Sequence, residues 1–151
     1  ALAAGGSALL FTCSAFGDAI EHVARRLAPW PVLKPNEAMI AEATTQPGPV
    51  GLIATFAATL ETMPREFPPG VTLIPELAEG ALAALEAGDA AGHDEQLVAA
   101  ARRACRQGAR TIAIAQFSAA RAAARVADAT GLTVLTTPDS AVRALRARLA
   151  E

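Results

Sequence analysis

Apolar runs of strand length alternate along this chain with alanine-rich stretches that repeat at the helical period. The first run, Ala8–Thr12, reads as a strand. Beyond it Phe16, Ile20, Val23 and Leu27 recur at spacings of four, three and four, one face of a helix from 16 to 27. Pro29 and Pro31 end that helix. A short strand at 31–33 leads to Asn36, a good N-cap for a helix over 37–44. Gln46-Pro47-Gly48-Pro49 reads as a linker. After it come a strand at 50–54, a helix starting near Ala57 and a loop at 64–70. The next strand, 71–74, is followed by an alanine-rich helix to Glu86 and a loop at 88–92. A helix at 94–107 stops at Gly108, and a strand at 111–115 leads into a helix at 118–129 ended by Gly131. A strand at 132–135 and a helix at 140–150 close the pattern. Strands separated by helices imply βαβ units, and continuous apolar strands imply a parallel sheet buried on both faces.

The expected fold class is therefore α/β, parallel sheets flanked by helices. Residues 48–139 hold four strands, enough for a lobe; residues 1–47 hold only two, so the first lobe reads as incomplete. The chain opens without Met in what reads as a helix tail, and an N-terminal portion is expected to precede it.

Composition changes this picture in one respect. Of 151 residues 39 are alanine, so the 52% apolar content buries less surface than it suggests. Net charge is −2, and the 12 arginines are scattered over helices. Without a basic stripe, no nucleic-acid partner is expected. No apolar run approaches the ~18 residues a bilayer requires, and no cationic segment precedes a hydrophobic core. Neither a membrane partner nor a signal peptide is expected. Two cysteines make no disulfide framework, and a cytoplasmic location is the default. An alanine-rich helix face would serve a homodimer as well as a core.

Ligands of open parallel sheets bind beyond the carboxyl ends of the strands. Those exits deliver Thr12, Cys13 and Ser14; Thr55, with Thr59 a turn later; Gln116, Phe117 and Ser118; and Thr136, Thr137, Asp139 and Ser140. Hydroxyls and free N–H groups there suit a carboxylate or phosphate, although Ser, Thr and Asp also begin ordinary helices. Cys13 stands between a strand end and a helix start, a position that favours a reactive thiol. Cys105 lies in line with Leu97 and Ala101 on a core face. His22 reads as a helix-boundary residue. His93 sits in a polar turn, Gly92–Glu95, that opens a helix. Neither histidine has a partner at ligand spacing, so no metal is assigned. Asp18 and Glu21 read as solvated helix acids. Dinucleotide, nucleotide-triphosphate and serine-nucleophile motifs are absent.

Four stretches in this order resemble the aspartate/glutamate/hydantoin racemase superfamily, which includes arylmalonate decarboxylase and maleate isomerase. Leu9–Ala15 is similar to the strand that ends in a catalytic cysteine. Lys34–Ala38 is similar to the segment ending in Glu-Ala before a helix. Val50–Thr55 is similar to the strand opening the second lobe, and Ile112–Ser118 occupies the place of a second cysteine motif. The resemblance implies two pseudo-symmetric α/β lobes: 1–47 the remainder of the first, 48–139 the second, and 140–151 a helix returning to the first. It implies a cofactor-independent enzyme, an isomerase or related decarboxylase, acting beside the carboxylate of a small acid. Cys13 matches the first cysteine and would be catalytic. Ser14, Thr55, Thr59, Gln116, Phe117 and Ser118 would bind the substrate. Gln116 replaces the second cysteine and Ser14 the usual Asn, which lowers a two-thiol racemase relative to a one-thiol decarboxylase or isomerase. A non-catalytic small-anion binding protein on the same fold is the alternative.

Overall fold

The structure is a computed structural model that describes residues 5–13 and 16–150. Strands β1 (Leu9–Leu10) and β2 (Val32–Leu33) pair in parallel, linked by helix α1 (Gly17–Leu27). Helix α2 (Glu37–Thr44) leads through the Pro-Gly segment to a second, four-stranded sheet. Its strands are β3 (Val50–Ala54), β4 (Leu73–Leu77), β5 (Thr111–Ile114) and β6 (Thr133–Thr136). They lie in the order β4-β3-β5-β6, all parallel, with Leu52 opposite both Pro75 and Ala113. Crossovers are made by α3 (Ala57–Thr62), α4 (Ala81–Glu86), α5 (Ala90–Arg106) and α6 (Ala123–Thr130), and α7 (Thr137–Ala150) follows β6.

The alternation of β3 divides the core in two. Val50, Leu52 and Ala54 face a cluster that holds Met39, Ile40 and Ala43 of α2 with Met63. Ile53 faces the opposite cluster, with Leu97, Ala100, Ala101 and Ala104 of α5 and Val126 of α6. Small residues let α5 press closely on the sheet. A Cβ on Gly51 would lie 2.8 Å from that of Ala104 and 2.9 Å from Ile112 Cδ1. Helix α2 precedes the linker in sequence yet packs on the four-stranded sheet. Helix α7 packs on α2 in turn. There Ser140 Oγ donates to Glu42 Oε2 at 2.7 Å, and Arg143 donates to both oxygens of that carboxylate at 2.9 and 2.6 Å. Hydrogen bonding from Arg143 holds the Glu42 carboxyl below its ordinary range, and Ser140 adds to this.

Several boundaries differ from expectation, among them the last helix, expected at 140–150, which starts at Thr137. The strand expected at 71–74 forms at 73–77 and runs through Pro75. An edge strand tolerates this because only one side of it pairs. The stretch read as a loop at 64–70 contains a 3-10 turn at Met63–Glu66. Residues 118–122, expected in a helix with 123–129, form a 3-10 turn. Helix α5 starts at Ala90 rather than Asp94, because Asp89 caps it by accepting from Gly92 N at 2.8 Å. That earlier start carries His93 and Asp94 off the surface. His93 is fully buried, its Nδ1 2.9 Å from Asp94 Oδ1, rather than in an open turn. Phe16, expected on the core face of α1, is exposed just before the helix. Among the described residues, no helix is long and apolar enough to cross a membrane.

Candidate functional site

The carboxyl ends of the two sheets face a common cleft of about 370 Å³, lined by Thr12, Cys13, Pro35, Asn36, Thr59, Gln116, Phe117 and Ser118. Each pair of residues arrives for a local reason. Thr12 and Cys13 follow β1, whose pairing continues to Phe11 N, bonded to Leu33 O at 3.1 Å. Pro35 and Asn36 follow β2 and begin α2. Thr59 lies one turn into α3, after β3. Gln116 to Ser118 follow β5, which is pinned to β3 by Ala115 N bonding Ile53 O at 2.9 Å. Five of the seven expected site residues thus line one cleft: Cys13, Thr59, Gln116, Phe117 and Ser118. Cys13 and Ser118 are exposed in it.

The other two stand apart. Thr55 lines neither this cleft nor its neighbour. It is 8% exposed and donates its N–H to Gln116 Oε1 at 2.6 Å and its hydroxyl to the same oxygen at 3.0 Å. This pairing fixes the Gln116 amide, because only its oxygen can accept from a backbone N–H. The Nε2 donors therefore point away from Thr55. Ser14 lies outside the described residues. The exit of β6 does not reach the cleft either. Thr136 and Asp139 bond each other at 2.6 Å, and Ser140 is committed to Glu42.

A second cleft of about 520 Å³ adjoins the first and shares Cys13, Asn36 and Thr59 with it. Phe56, Ala58, Thr62, Met63 and Glu66 complete its lining. Asn36 was expected only as an N-cap. Its backbone carbonyl does accept from Ile40 N at 2.9 Å, but its side chain makes no cap bond. The side chain turns instead to Glu66, with Nδ2 at 3.4 and 3.3 Å from the two carboxylate oxygens. An N-cap side chain bonds the helix from an extended backbone, and Asn36 is helical at φ −94°, ψ −26°. No sequence signal pairs residues 36 and 66. Only the fold brings them together.

Cys105 is partly buried and packs against the α5 side of the core, away from both clefts. Asp18 and Glu21 are exposed on α1. Lys34 donates to Glu21 at 2.5 Å and lies 3.4 Å from Glu37, tying α1 to the start of α2. That hydrogen bond holds the Glu21 carboxyl below, and the Lys34 ammonium above, its ordinary range.

The same fold occurs in solved structures. A glutamate racemase isoform from Bacillus anthracis superposes with a TM-score of 0.66 at 15% identity, over 95% of this chain and 58% of that one. An allantoin racemase from Pseudomonas fluorescens does so with a TM-score of 0.61 at 16% identity, over 80% and 53% respectively. The chain shares the α/β fold of these two structures. It spans a little over half the length of each of these structures. No protein-family model matches the sequence, and no curated protein matches it. The fold's parallel sheets flanked by helices are the class read from the apolar pattern.

Proposed function

We propose that the protein transfers a proton at the carbon beside the carboxylate of a small acid, without a cofactor, using Cys13 as its single acid–base group. The observation that carries this reading is the cleft itself. A thiol from one sheet faces Thr59, Gln116 and Ser118 from the other, on three separate stretches of chain. Both structural neighbours bear racemase names, which supports a site of this kind between the sheets.

The chemistry follows from these groups. The Cys13 thiolate removes the α-proton, and the C–H electron pair moves into the carboxylate to give an enediolate. Hydroxyl donors on Thr59 and Ser118 and the Nε2 of Gln116 face that developing charge, where preorganised donors lower the barrier most. The thiol exchanges its proton with water and returns one to the carbon. On a malonate-type acid the bond to one carboxylate breaks instead. Carbon dioxide leaves with its oxygens, and the Cys13 thiol protonates the carbanion. Gln116 can neither donate nor accept the transferred proton, so the wall opposite Cys13 supplies hydrogen bonds rather than a second base.

The test is α-proton exchange in deuterated water, followed by NMR, on amino acids, hydantoins, malonates and maleate. Exchange or turnover that disappears in Cys13→Ala supports the reading. Turnover that persists in the variant refutes it.

A further inference from the structure

The proton transfer uses neither Asn36 nor Glu66, although both line the second cleft beside Cys13. Asn36 is 5% exposed, so its amide is held by its surroundings. Its Nδ2 lies against both oxygens of the Glu66 carboxylate, which turns Oδ1 away from Glu66. No described residue donates to that oxygen. Glu66 itself is exposed, and it is the one charged side chain among the described residues lining either cleft. Thr62 offers this cleft no donor, since its hydroxyl is returned to Ala58 O at 2.9 Å. Phe56, more than half exposed, forms an apolar wall at the mouth.

Apart from Cys13 and Thr59, which it shares with the first cleft, the second cleft thus presents acceptors and apolar surface, with no cation in its lining to meet an anion. A carboxylate placed there would lie near the Glu66 carboxylate without a counter-ion. Repulsion between like charges a few ångströms apart, at surface dielectric, disfavours it about tenfold. A neutral group of the same shape bearing N–H donors would instead bond Asn36 Oδ1 or Glu66. Sites with unpaired acceptors discriminate strongly in favour of the donor-bearing analogue.

We propose that the Asn36–Glu66 pair selects a substrate whose side group is an uncharged N–H donor, a carboxamide, over its isosteric carboxylate. The inference rests on the proposed placement of the reacting carboxylate beside Cys13. Glu66 acts on the side group directly, and Asn36 is positioned by Glu66.

The experiment is protection of Cys13 from iodoacetamide, followed on its own peptide so that Cys105 does not interfere. The probes are glutamine against glutamate and asparagine against aspartate. In the wild type one carboxamide should protect at a concentration at least about tenfold lower than its carboxylate. Glu66→Gln keeps an oxygen for Asn36 Nδ2 and, at an exposed position, leaves the fold intact. It should erase the preference. Equal protection by both members of each pair, a carboxylate preference, an unchanged preference in Glu66→Gln, or no protection by any probe would overturn the proposal. The exchange assay separates the two readings. Protection without exchange counts against proton transfer and leaves the selectivity standing.

Discussion

Gln116 joins the sheet to the cleft, so replacing it tests both roles. In Gln116→Leu the side-chain volume is nearly kept, but the acceptor of the Thr55 N–H and hydroxyl is lost. Thr55 is 8% exposed, so water reaches its amide poorly. A buried donor left without a partner costs roughly 1–3 kcal/mol, and the second hydrogen bond adds about 1 kcal/mol. A loss of about 2–4 kcal/mol is expected, which for a chain of this size lowers Tm by roughly 5–15 °C. Gln116→Glu keeps an oxygen facing Thr55 and should lose under about 1 kcal/mol. It removes the Nε2 donors from the cleft, so its proton-exchange rate should fall while its stability holds. Urea unfolding of the two variants beside wild type, with the exchange assay on each, separates anchoring from donation. Equal stability of the Leu and Glu variants would refute the assignment of Gln116 Oε1 as the anchor of β3's exit.

Two further predictions concern the scaffold. Gly51→Ala should destabilise by about 1–3 kcal/mol, because the added methyl meets Ala104 Cβ at 2.8 Å and a helix-borne methyl cannot turn aside. Pairing it with Ala104→Gly should recover part of that loss in a denaturant titration, and no recovery would place the clash elsewhere. Glu42→Ala should cost about 1–3 kcal/mol, chiefly by leaving the buried Ser140 hydroxyl without its acceptor, since Arg143 is largely exposed and its ion pair adds little. The Glu42 carboxyl is lowered from 4.5 on folding, so its contribution is complete above pH 4.5 and fades as pH falls through the folded value. The advantage of wild type over Glu42→Gln should therefore narrow below that pH, and an advantage that grows on acidification would contradict the Arg143 pairing.

The sequence displays its fold more openly than its site because strands buried on both faces must be apolar throughout. Val50–Ala54 and Thr111–Ile114 are wholly buried, and their runs stand out against alanine-rich helices. Boundaries fail where a local bond outweighs the pattern. The Asp89 cap starts α5 early and buries His93, a residue whose polar neighbours mark it for the surface. Pro75 sits inside a strand because β4 is an edge, a fact of tertiary order rather than local sequence. At the cleft, strand exits identify Cys13, Gln116, Phe117 and Ser118, since parallel strands expose their carboxyl ends together. Thr55 leaves a strand in the same way but is consumed by Gln116, a pairing across 61 residues. Asn36 and Glu66, 30 residues apart, carry no pattern at all until β2, α2 and the 3-10 turn after α3 are assembled.

Helix α2 then explains why a cleft between two sheets keeps its shape. Its first residue follows Asn36, which belongs to the exit of β2, while its buried side chains Met39, Ile40 and Ala43 lock into the core of the four-stranded sheet. Helix α7 grips its far end through Ser140 and Arg143, after leaving β6 of that sheet. Lys34 ties its start to α1 on the small sheet. The thiol on one side and the amide and hydroxyl donors on the other are therefore spaced by a single helix clamped at both ends. A site that works by preorganised donors requires that rigidity, because donors that must move into place lose most of their effect. In this chain the low-charge cleft is supported by charged contacts outside its lining. Lys34 and Arg143 serve the scaffold, while hydroxyls, an amide and one thiol line the first cleft.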